Sequence, residues 1–266
     1  MKKLLVFDMD GTLFTSNKII SNKTKDAIMA AQENGIRVAC ATGRSVNIMN
    51  EVFEELELVK YKGFCVGNNG QQLLNLETNE YTVGAKIPQE VVEICCKVAG
   101  EDDREMYGVD EGITRYRTSL FGSKYQPDRP AVMYDYENEL FEDLHDFDKV
   151  GYFVPAERND ADALENKLMS LIQDKAQVLK TNDLCVEISP NGVDKCYGLD
   201  LLCEKYGYAI EDVLVFGDGL NDYKMMEKYP SCAMGNAYDE IKAIATYVVA
   251  SNDEDGIAEG IEKYVY

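Results

Sequence analysis

Short apolar runs alternate with segments of helical periodicity along the first part of the chain. Residues 4–7 form an unbroken apolar run, which has the length and character of a buried strand. Behind Ser21, a suitable helix cap, apolar residues recur at helical spacing over 24–31, and Gly35 ends that pattern. A second strand is predicted over 36–41. This strand-helix-strand order predicts two parallel strands joined by a right-handed crossover.

The parallel pattern stops in the middle of the chain and then returns. An Asn-Asn-Gly turn leads into a predicted hairpin over 72–83, and residues 84–187 mix strand and helix signals without regular alternation. Asp194 can cap the next helix. Further strands are predicted at 213–216, 233–236 and 247–249.

These patterns predict an α/β fold of two domains, for which a chain of 266 residues is long enough. The core domain, residues 1–83 and 188–266, is expected to be a Rossmann-like parallel sheet. Residues 84–187 are expected to form an inserted α+β cap domain. An insertion of this size suits a lid that excludes water and selects the substrate.

Polar side chains follow three of the predicted parallel strands. Asp8 and Asp10 come after the first strand, Thr42 after the second, and Asp218 and Asp222 after the strand at 213–216. Because ligands bind outside the carboxyl ends of parallel strands, these residues are expected to meet in one site. Close carboxylates suit a hard divalent cation such as Mg2+. One acidic turn alone would be an ordinary use of Asp and Gly, but three aligned strand ends favour a site.

The charge balance restricts the partners of the chain. It has 48 acidic and 27 basic residues, a formal net charge of −21. Such a charge repels nucleic acid and anionic membranes, so neither is expected as a partner. It also repels phosphorylated substrates, so a site for one needs a metal and a few placed cations.

The cysteines and the apolar runs indicate a cytoplasmic protein. The eight cysteines show no Cys-x-x-Cys spacing, and several lie in apolar runs, as expected for buried thiols. The first apolar run is too short for a signal peptide, and no later run reaches membrane-spanning length. A reducing cytoplasm, and a monomer or weak homo-oligomer, are the expectations.

Together, these motifs resemble those of haloacid dehalogenase superfamily hydrolases, in the Cof-type phosphatase branch. Gln71 departs from the pattern, since relatives usually carry a small residue there. The similar segments are Asp8-Met9-Asp10-Gly11-Thr12-Leu13 for the first motif, Thr42-Gly43-Arg44 for the second, Lys195 for the third, Gly217-Asp218 with Asn221-Asp222 for the fourth, and Asn69-Gly70, Met234-Gly235-Asn236-Ala237 and 252–256 for secondary signatures.

The resemblance implies a Mg2+-dependent phosphatase that acts on small phosphorylated metabolites, with sugar phosphates first among them. Asp8 would attack phosphorus to form an aspartyl-phosphate, and Asp10 would act as general acid and base. The implied metal ligands are Asp8, Asp218 and the backbone carbonyl of Asp10. The implied phosphate-binding groups are Lys195, the Thr42 hydroxyl, the Asn221 side chain, and the backbone amides of Met9 and Gly43. Asp222 would support the metal's waters or orient Lys195.

Structural explanations stay open for single residues. Lys195 could be a solvated lysine in the first helical turn, and Thr42 and Asn221 could be helix caps. Arg44 and His145 are assigned no catalytic role. Arg115 and Arg117 would share one face of a strand, and an ordinary solvated face is the preferred interpretation of that pair.

Other functions also stay open. The substrate could be a nucleotide or pyridoxal phosphate. A dinucleotide-binding enzyme is disfavoured because position 222 is Asp where the fingerprint needs Gly. A receiver-like phospho-aspartate switch, without enzymatic activity, would be a lone sheet domain, which the insertion argues against.

Overall fold

A computed structural model describes residues 2–102, 104–110, 113–117, 132–133, 147 and 149–266. Its strands are β1 (Leu4–Phe7), β2 (Arg37–Ala41), β3 (Phe64–Gly67), β4 (Gln72–Asn75), β5 (Glu80–Val83), β6 (Met106–Asp110), β7 (Ile113–Arg117), β8 (Val132–Met133), β9 (Lys149–Phe153), β10 (Gln177–Asn182), β11 (Cys185–Ser189), β12 (Val213–Gly217), β13 (Ser231–Ala233) and β14 (Tyr247–Val248). Its α-helices are α1 (Asn22–Glu33), α2 (Asn50–Glu55), α3 (Gln89–Glu101), α4 (Ala161–Ile172), α5 (Lys195–Tyr206), α6 (Tyr223–Lys228), α7 (Asp239–Ile244) and α8 (Gly256–Tyr264).

The chain divides into two compact units, Met1–Val83 with Val193–Tyr266, and Gly84–Gly192. The first unit holds a sheet in the order β14-β13-β12-β1-β2-β3-β4-β5. Its strands are parallel from β14 to β3, and the β4–β5 hairpin completes it in antiparallel pairing. The predicted α/β class with a parallel-sheet core is confirmed. Consequently the carboxyl ends of β1, β2 and β12 lie side by side.

Burial on both faces explains why β1 is an unbroken apolar run. Leu5 and Phe7 pack in one cluster with Ile28 of α1, while Leu4 and Val6 pack in a second cluster with residues of α5. All four strand side chains are fully buried. A parallel strand covered on both faces needs apolar residues at every position, which is the pattern in the sequence.

Two predicted caps set the starts of helices. The Ser21 hydroxyl accepts a hydrogen bond from the Thr24 amide at 3.1 Å and begins α1. A carboxylate oxygen of Asp194 accepts one from the Tyr197 amide at 3.0 Å and begins α5. The second cap makes Lys195 the first residue of its helix.

The second unit contains a six-stranded sheet in the order β10-β11-β9-β6-β7-β8. Helices α3 and α4 pack on one face of it, around the buried Tyr152, whose hydroxyl donates to the Cys95 carbonyl at 2.6 Å. Strand β8 was not predicted, because two residues in a stretch taken as loop carry no periodic signal.

Two predicted boundaries shift. The chain returns to the first unit at Val193 rather than at residue 188, because β11 runs to Ser189 within the second sheet. The strand predicted over 233–236 is wrong in its position along the chain, since β13 covers Ser231–Ala233. Because Ser231 is polar, the start of this strand does not continue an apolar run in the sequence. The buried Ser231 hydroxyl donates to the Met226 carbonyl at 2.8 Å.

None of the described helices has the length and apolar composition that a membrane crossing requires.

The Ser21 cap yields a first prediction. Ser21→Ala should destabilise the first turn of α1 by about 1 kcal/mol, because the Thr24 amide loses its acceptor. Hydrogen exchange of that amide should then be about fivefold faster. Ser21→Thr keeps the hydroxyl and serves as the control. Equal exchange rates in the wild type and both variants would show that the cap contributes nothing.

Candidate active site

A fully buried lysine joins the ends of two parallel strands. The Lys195 ammonium donates to Oδ1 of Asp8 at 2.5 Å and to Oδ1 of Asp222 at 2.7 Å. Lys195 and Asp222 are 0 % exposed and Asp8 is 6 % exposed. Such burial contradicts the interpretation of Lys195 as a solvated residue of the first helical turn.

Burial and neighbouring carboxylates raise the pKa of Asp8 and of Asp218. Burial raises the pKa of Asp8, and the Asp222 and Asp218 charges add to this effect, against the lowering by Lys195. Burial and Asp222 also raise the pKa of Asp218, against a hydrogen bond from the Thr12 hydroxyl at 2.8 Å. Burial alone would lower the pKa of Lys195. The charges of Asp222 and Asp8 and their hydrogen bonds outweigh that effect, so the pKa of Lys195 lies above its ordinary value. Among the described residues, the acidic groups of the site therefore carry more negative charge than the Lys195 ammonium offsets.

An acidic cluster beside Lys195 has the spacing of a divalent metal site. Asp8, Asp218 and Asp222 each offer an oxygen, and these oxygens lie within 4.8 Å of one another. A set of oxygen donors with excess negative charge suits Mg2+. Gly11 has φ +90°, and a Cβ on it would collide with the Asp218 carboxylate, so glycine is required beside this group.

Both carboxylate oxygens of Asp222 already accept hydrogen bonds from the protein. Its Oδ1 accepts from Lys195, and its Oδ2 accepts from the backbone amides of Asp218 and Gly219, both at 3.0 Å. These bonds fix the turn that carries Asp218 and the direction of the Lys195 side chain. They fit the orienting role predicted for Asp222 better than a metal-binding role.

The Asp10 carboxylate lies in an ion-pair cluster of its own. Arg44 donates to both of its oxygens, at 3.0 and 2.7 Å, and Lys18 donates at 2.8 Å. Burial raises the pKa of Asp10, but the hydrogen bonds from Arg44 and Lys18 outweigh it and lower the pKa from its ordinary value. Both cations therefore favour ionised Asp10.

Sequence reasoning missed the contacts of Arg44 and Lys18 with Asp10. The signal that could have found Arg44 is the register of neighbouring strands, since Phe7 pairs with Cys40. Each residue follows its strand by a few positions, so the two side chains leave the same edge of the sheet. Lys18 lies in a turn at φ +60°, which no periodic pattern reports.

The phosphate-binding groups predicted around Thr42 lie after β2. Thr42 is 1 % exposed, and its hydroxyl accepts from the Arg44 amide at 3.1 Å. The Ser45 hydroxyl, rather than that of Thr42, caps the short 3-10 helix that follows.

Asn221 makes no side-chain cap bond and donates instead to Oδ1 of Asn69 at 3.3 Å. Met9, whose backbone amide was predicted to bind phosphate, follows Asp8 directly and has a buried side chain.

Two asparagines of the secondary signatures, Asn236 and Asn252, hold the loop that follows Asp8 by hydrogen bonds. The side-chain amide of Asn236 donates to the Gly11 carbonyl at 2.8 Å, and that of Asn252 donates to the Phe14 carbonyl at 2.9 Å. Asn236 also accepts from the Asn252 backbone amide at 3.0 Å. Residues far along the chain thus position the turn that holds Asp10.

Four further residues of the sequence remain, Gln71, Arg115, Arg117 and His145. Gln71 is buried. Arg115 and Arg117 belong to β7, whose side chains are not described, and His145 lies outside the described residues.

Comparisons with known proteins identify the family of the chain. A sequence model of haloacid dehalogenase-like hydrolases matches residues 5–261. A 5-amino-6-(5-phospho-D-ribitylamino)uracil phosphatase of Bacillus subtilis is 27% identical over 99% of this chain and 96% of its own. A haloacid dehalogenase-like hydrolase of Bacteroides thetaiotaomicron superposes with a TM-score of 0.87 at 30% identity over 100% of both chains. A subclass IIB sugar phosphatase of that superfamily has a TM-score of 0.83 at 25% identity over 99% of both chains.

The fold and the site define an α/β enzyme of phosphoryl transfer, with an acidic centre at the carboxyl edge of a parallel sheet. The chain belongs to the haloacid dehalogenase-like hydrolase family and is a phosphoester hydrolase. The resemblance to the Cof-type phosphatase branch is confirmed. This membership sets aside the dinucleotide-binding and receiver-like alternatives.

The raised pKa of Asp8 yields a second prediction. Its folded-state pKa of about 8 lies above the ordinary 3.8, so its contribution to stability is complete at low pH and is lost as pH rises from about 4 to 8. With chelator present, Asp8→Asn should therefore gain in Tm over the wild type as pH rises from 5 to 8. Asp26→Asn, an exposed change in α1, is the control. A Tm difference for Asp8→Asn that is independent of pH would contradict this electrostatic account.

Proposed function

We propose that the chain is a Mg2+-dependent phosphomonoester hydrolase that works through an aspartyl-phosphate on Asp8. The observation that carries the proposal is the Asp8 carboxylate at the end of β1, with Lys195 on one oxygen and Asp218 beside it. A carboxylate held in this way can serve as a nucleophile, and it splits a difficult hydrolysis into two easier steps.

The residues that would hold Mg2+ are the side chains of Asp8 and Asp218 and the backbone carbonyl of Asp10. When bound, the ion would offset the excess negative charge of the site and polarise the phosphoryl oxygens. Asp222 would stay outside this set, because its oxygens already accept three hydrogen bonds.

In the first step, a carboxylate oxygen of Asp8 forms a bond to phosphorus while the bond to the leaving oxygen breaks. Asp10 gives its proton to the leaving oxygen, so this step requires the protonated form. In the second step, ionised Asp10 takes a proton from water, whose oxygen attacks phosphorus and releases Asp8. Arg44 and Lys18 favour the form that the second step needs.

The phosphoryl oxygens would be held by groups from three strand ends and one helix. Lys195, the Thr42 hydroxyl and the Asn221 amide supply side-chain donors, and Met9 and Gly43 supply backbone amides. Such donors stabilise charge as it develops at phosphorus. They also provide the local compensation that a chain of net charge −21 needs to accept a phosphate.

We propose that the second unit, Gly84–Gly192, is the cap domain and selects the leaving group. A polar network on the sheet face opposite α3 and α4 supports this role. In it, the Lys149 ammonium and the Tyr107 hydroxyl both donate to Oε1 of Glu187, at 2.7 Å each. Ammonium, phenol and carboxylate groups can also exchange hydrogen bonds with the hydroxyls of a sugar or polyol.

The favoured substrate is a small metabolite with its phosphate on a sugar or polyol carbon. The ribitylamino-uracil phosphatase and the sugar phosphatase among the relatives support this class. Nucleotides and pyridoxal phosphate are the alternatives for a substrate panel. Seven of the eight cysteines are buried thiols, which supports a reducing cytoplasm as the compartment.

Activity with and without metal provides a third prediction. The wild type should hydrolyse an aryl phosphate with Mg2+ and lose at least about a hundredfold in rate with chelator, since two anions must then approach each other unscreened. Asp218→Asn should lose activity with Mg2+ present, whereas the exposed Asp26→Asn should not. Full turnover in metal-free buffer would refute the proposal, and a panel of phosphorylated metabolites would rank the substrates.

The division of roles between the two aspartates provides a fourth prediction. Asp8→Asn should form no phosphoenzyme, because a neutral amide is a poor nucleophile. Asp10→Asn keeps the nucleophile and loses proton transfer, so with an aryl phosphate it should accumulate one phosphoryl group. Intact-protein mass after mixing with substrate and Mg2+ measures both outcomes. A labelled Asp8→Asn protein would exclude Asp8 as the nucleophile.

A further inference from the structure

The loop after β3 holds three consecutive residues at positive φ. The φ angles are +47° for Asn68, +51° for Asn69 and +96° for Gly70. Asn and Gly tolerate this left-handed region better than other residues. Backbone amides pin the loop to the segment after β2, since Asn69 donates to the Thr42 carbonyl at 2.9 Å and Asn68 to the Arg44 carbonyl at 2.8 Å.

The Asn69 side chain contacts two of the segments that would bind phosphate. Its Oδ1 accepts from the Asn221 amide at 3.3 Å, across 152 residues of sequence. Its carboxamide also lies against Gly43, where an added Cβ would be 3.2 Å from Oδ1 and 3.4 Å from Nδ2. One side chain thus links the loop after β2 to the loop after β12.

The same loop also contacts the helix that carries Lys195. A Cβ on Gly70 would collide with the Asp194 carbonyl and come within 3.2 Å of the Gly198 amide nitrogen. Gly70 therefore allows the loop to pack closely on the first turn of α5. The three segments that supply side-chain donors to a phosphate all meet residues 68–70.

The hydrogen bond to Asn69 decides which end of the Asn221 amide faces the site. A primary amide has two N–H donors and one carbonyl acceptor, and the acceptor repels a phosphate oxygen. Because Oδ1 of Asn69 takes one N–H, the Asn221 nitrogen is fixed in place with its second N–H available. Among the described residues, that second N–H has no partner.

We propose that Asn69 is a positioning residue for phosphate recognition, which orients the Asn221 amide and seats the Gly43 backbone. This inference rests on the proposed function and deepens it. Asn69 acts through Asn221 and Gly43, so its contribution depends on their presence. The ligand concerned is the phosphoryl group of a monoester, or inorganic phosphate as its product.

Four variants test the inference. Asn69→Gly removes the side chain and keeps the left-handed backbone, and Asn69→Asp keeps the acceptor oxygen. Asn221→Ala and the double variant Asn69→Gly/Asn221→Ala complete a cycle. Asn79→Gly is the matched control, since Asn79 is exposed in the β4–β5 turn at φ +55°. The measurements are calorimetric affinity for inorganic phosphate with Mg2+, turnover of an aryl phosphate, and Tm.

Asn69→Gly should weaken phosphate binding by about tenfold, the scale of a hydrogen bond to a charged group, with Tm close to that of Asn79→Gly. The double variant should lose less affinity than the sum of the two single losses, because the part of the Asn69 effect that acts through Asn221 is already absent. Asn69→Asp keeps the acceptor for Asn221 but adds a negative charge beside the anion, so it should bind phosphate more weakly than the wild type. Additive losses in the double variant, or an unchanged affinity in Asn69→Gly, would overturn the inference.

Failure of the proposed function has a separate signature. If the wild type binds phosphate with Mg2+ but hydrolyses no ester, the hydrolase mechanism fails while the binding cycle still decides the role of Asn69. If the wild type binds no phosphate, both the mechanism and the positioning role are wrong.

Discussion

The burial of one ammonium group constrains most of the first unit. Lys195 is fully enclosed at the first position of α5, where the helix dipole disfavours a cation. A buried charge is tolerated only when it is paired and hydrogen-bonded, and Asp8 and Asp222 meet that requirement. The pairing needs β1 beside β12 and a helix that begins at residue 195. The Asp194 cap and the glycine contact at Gly70 supply that geometry.

In the same cluster, the negative charge of the carboxylates exceeds the positive charge of the Lys195 ammonium. Asp8, Asp218 and Asp222 lie near one another and near the Lys195 ammonium, so the folded protein keeps mutual repulsion among these carboxylates. Active sites often sacrifice stability in this way, because the unbalanced groups are those that bind a metal or react. Under the proposed function, a divalent cation in this site would reverse the local charge, and a strongly acidic chain could then accept an anionic substrate.

Support for the site comes from both ends of the chain. Asn236 and Asn252 hold the loop after β1, and Asn69 links the loops after β2 and β12. Each of these bonds joins a side-chain amide to a group far away in sequence. Amides suit this work because they donate and accept without adding charge to an already charged site.

The sequence by itself determined the parallel strands, the caps at Ser21 and Asp194, and the acidic residues at three strand ends. Those features follow from local rules, since a strand buried on both faces needs a continuous apolar run and a helix start needs an acceptor. Tertiary structure decided the burial of Lys195 and the pairing of Asp10 with Arg44 and Lys18. These depend on strand register and on loops at positive φ, which bring distant residues together and leave no periodic pattern in the chain.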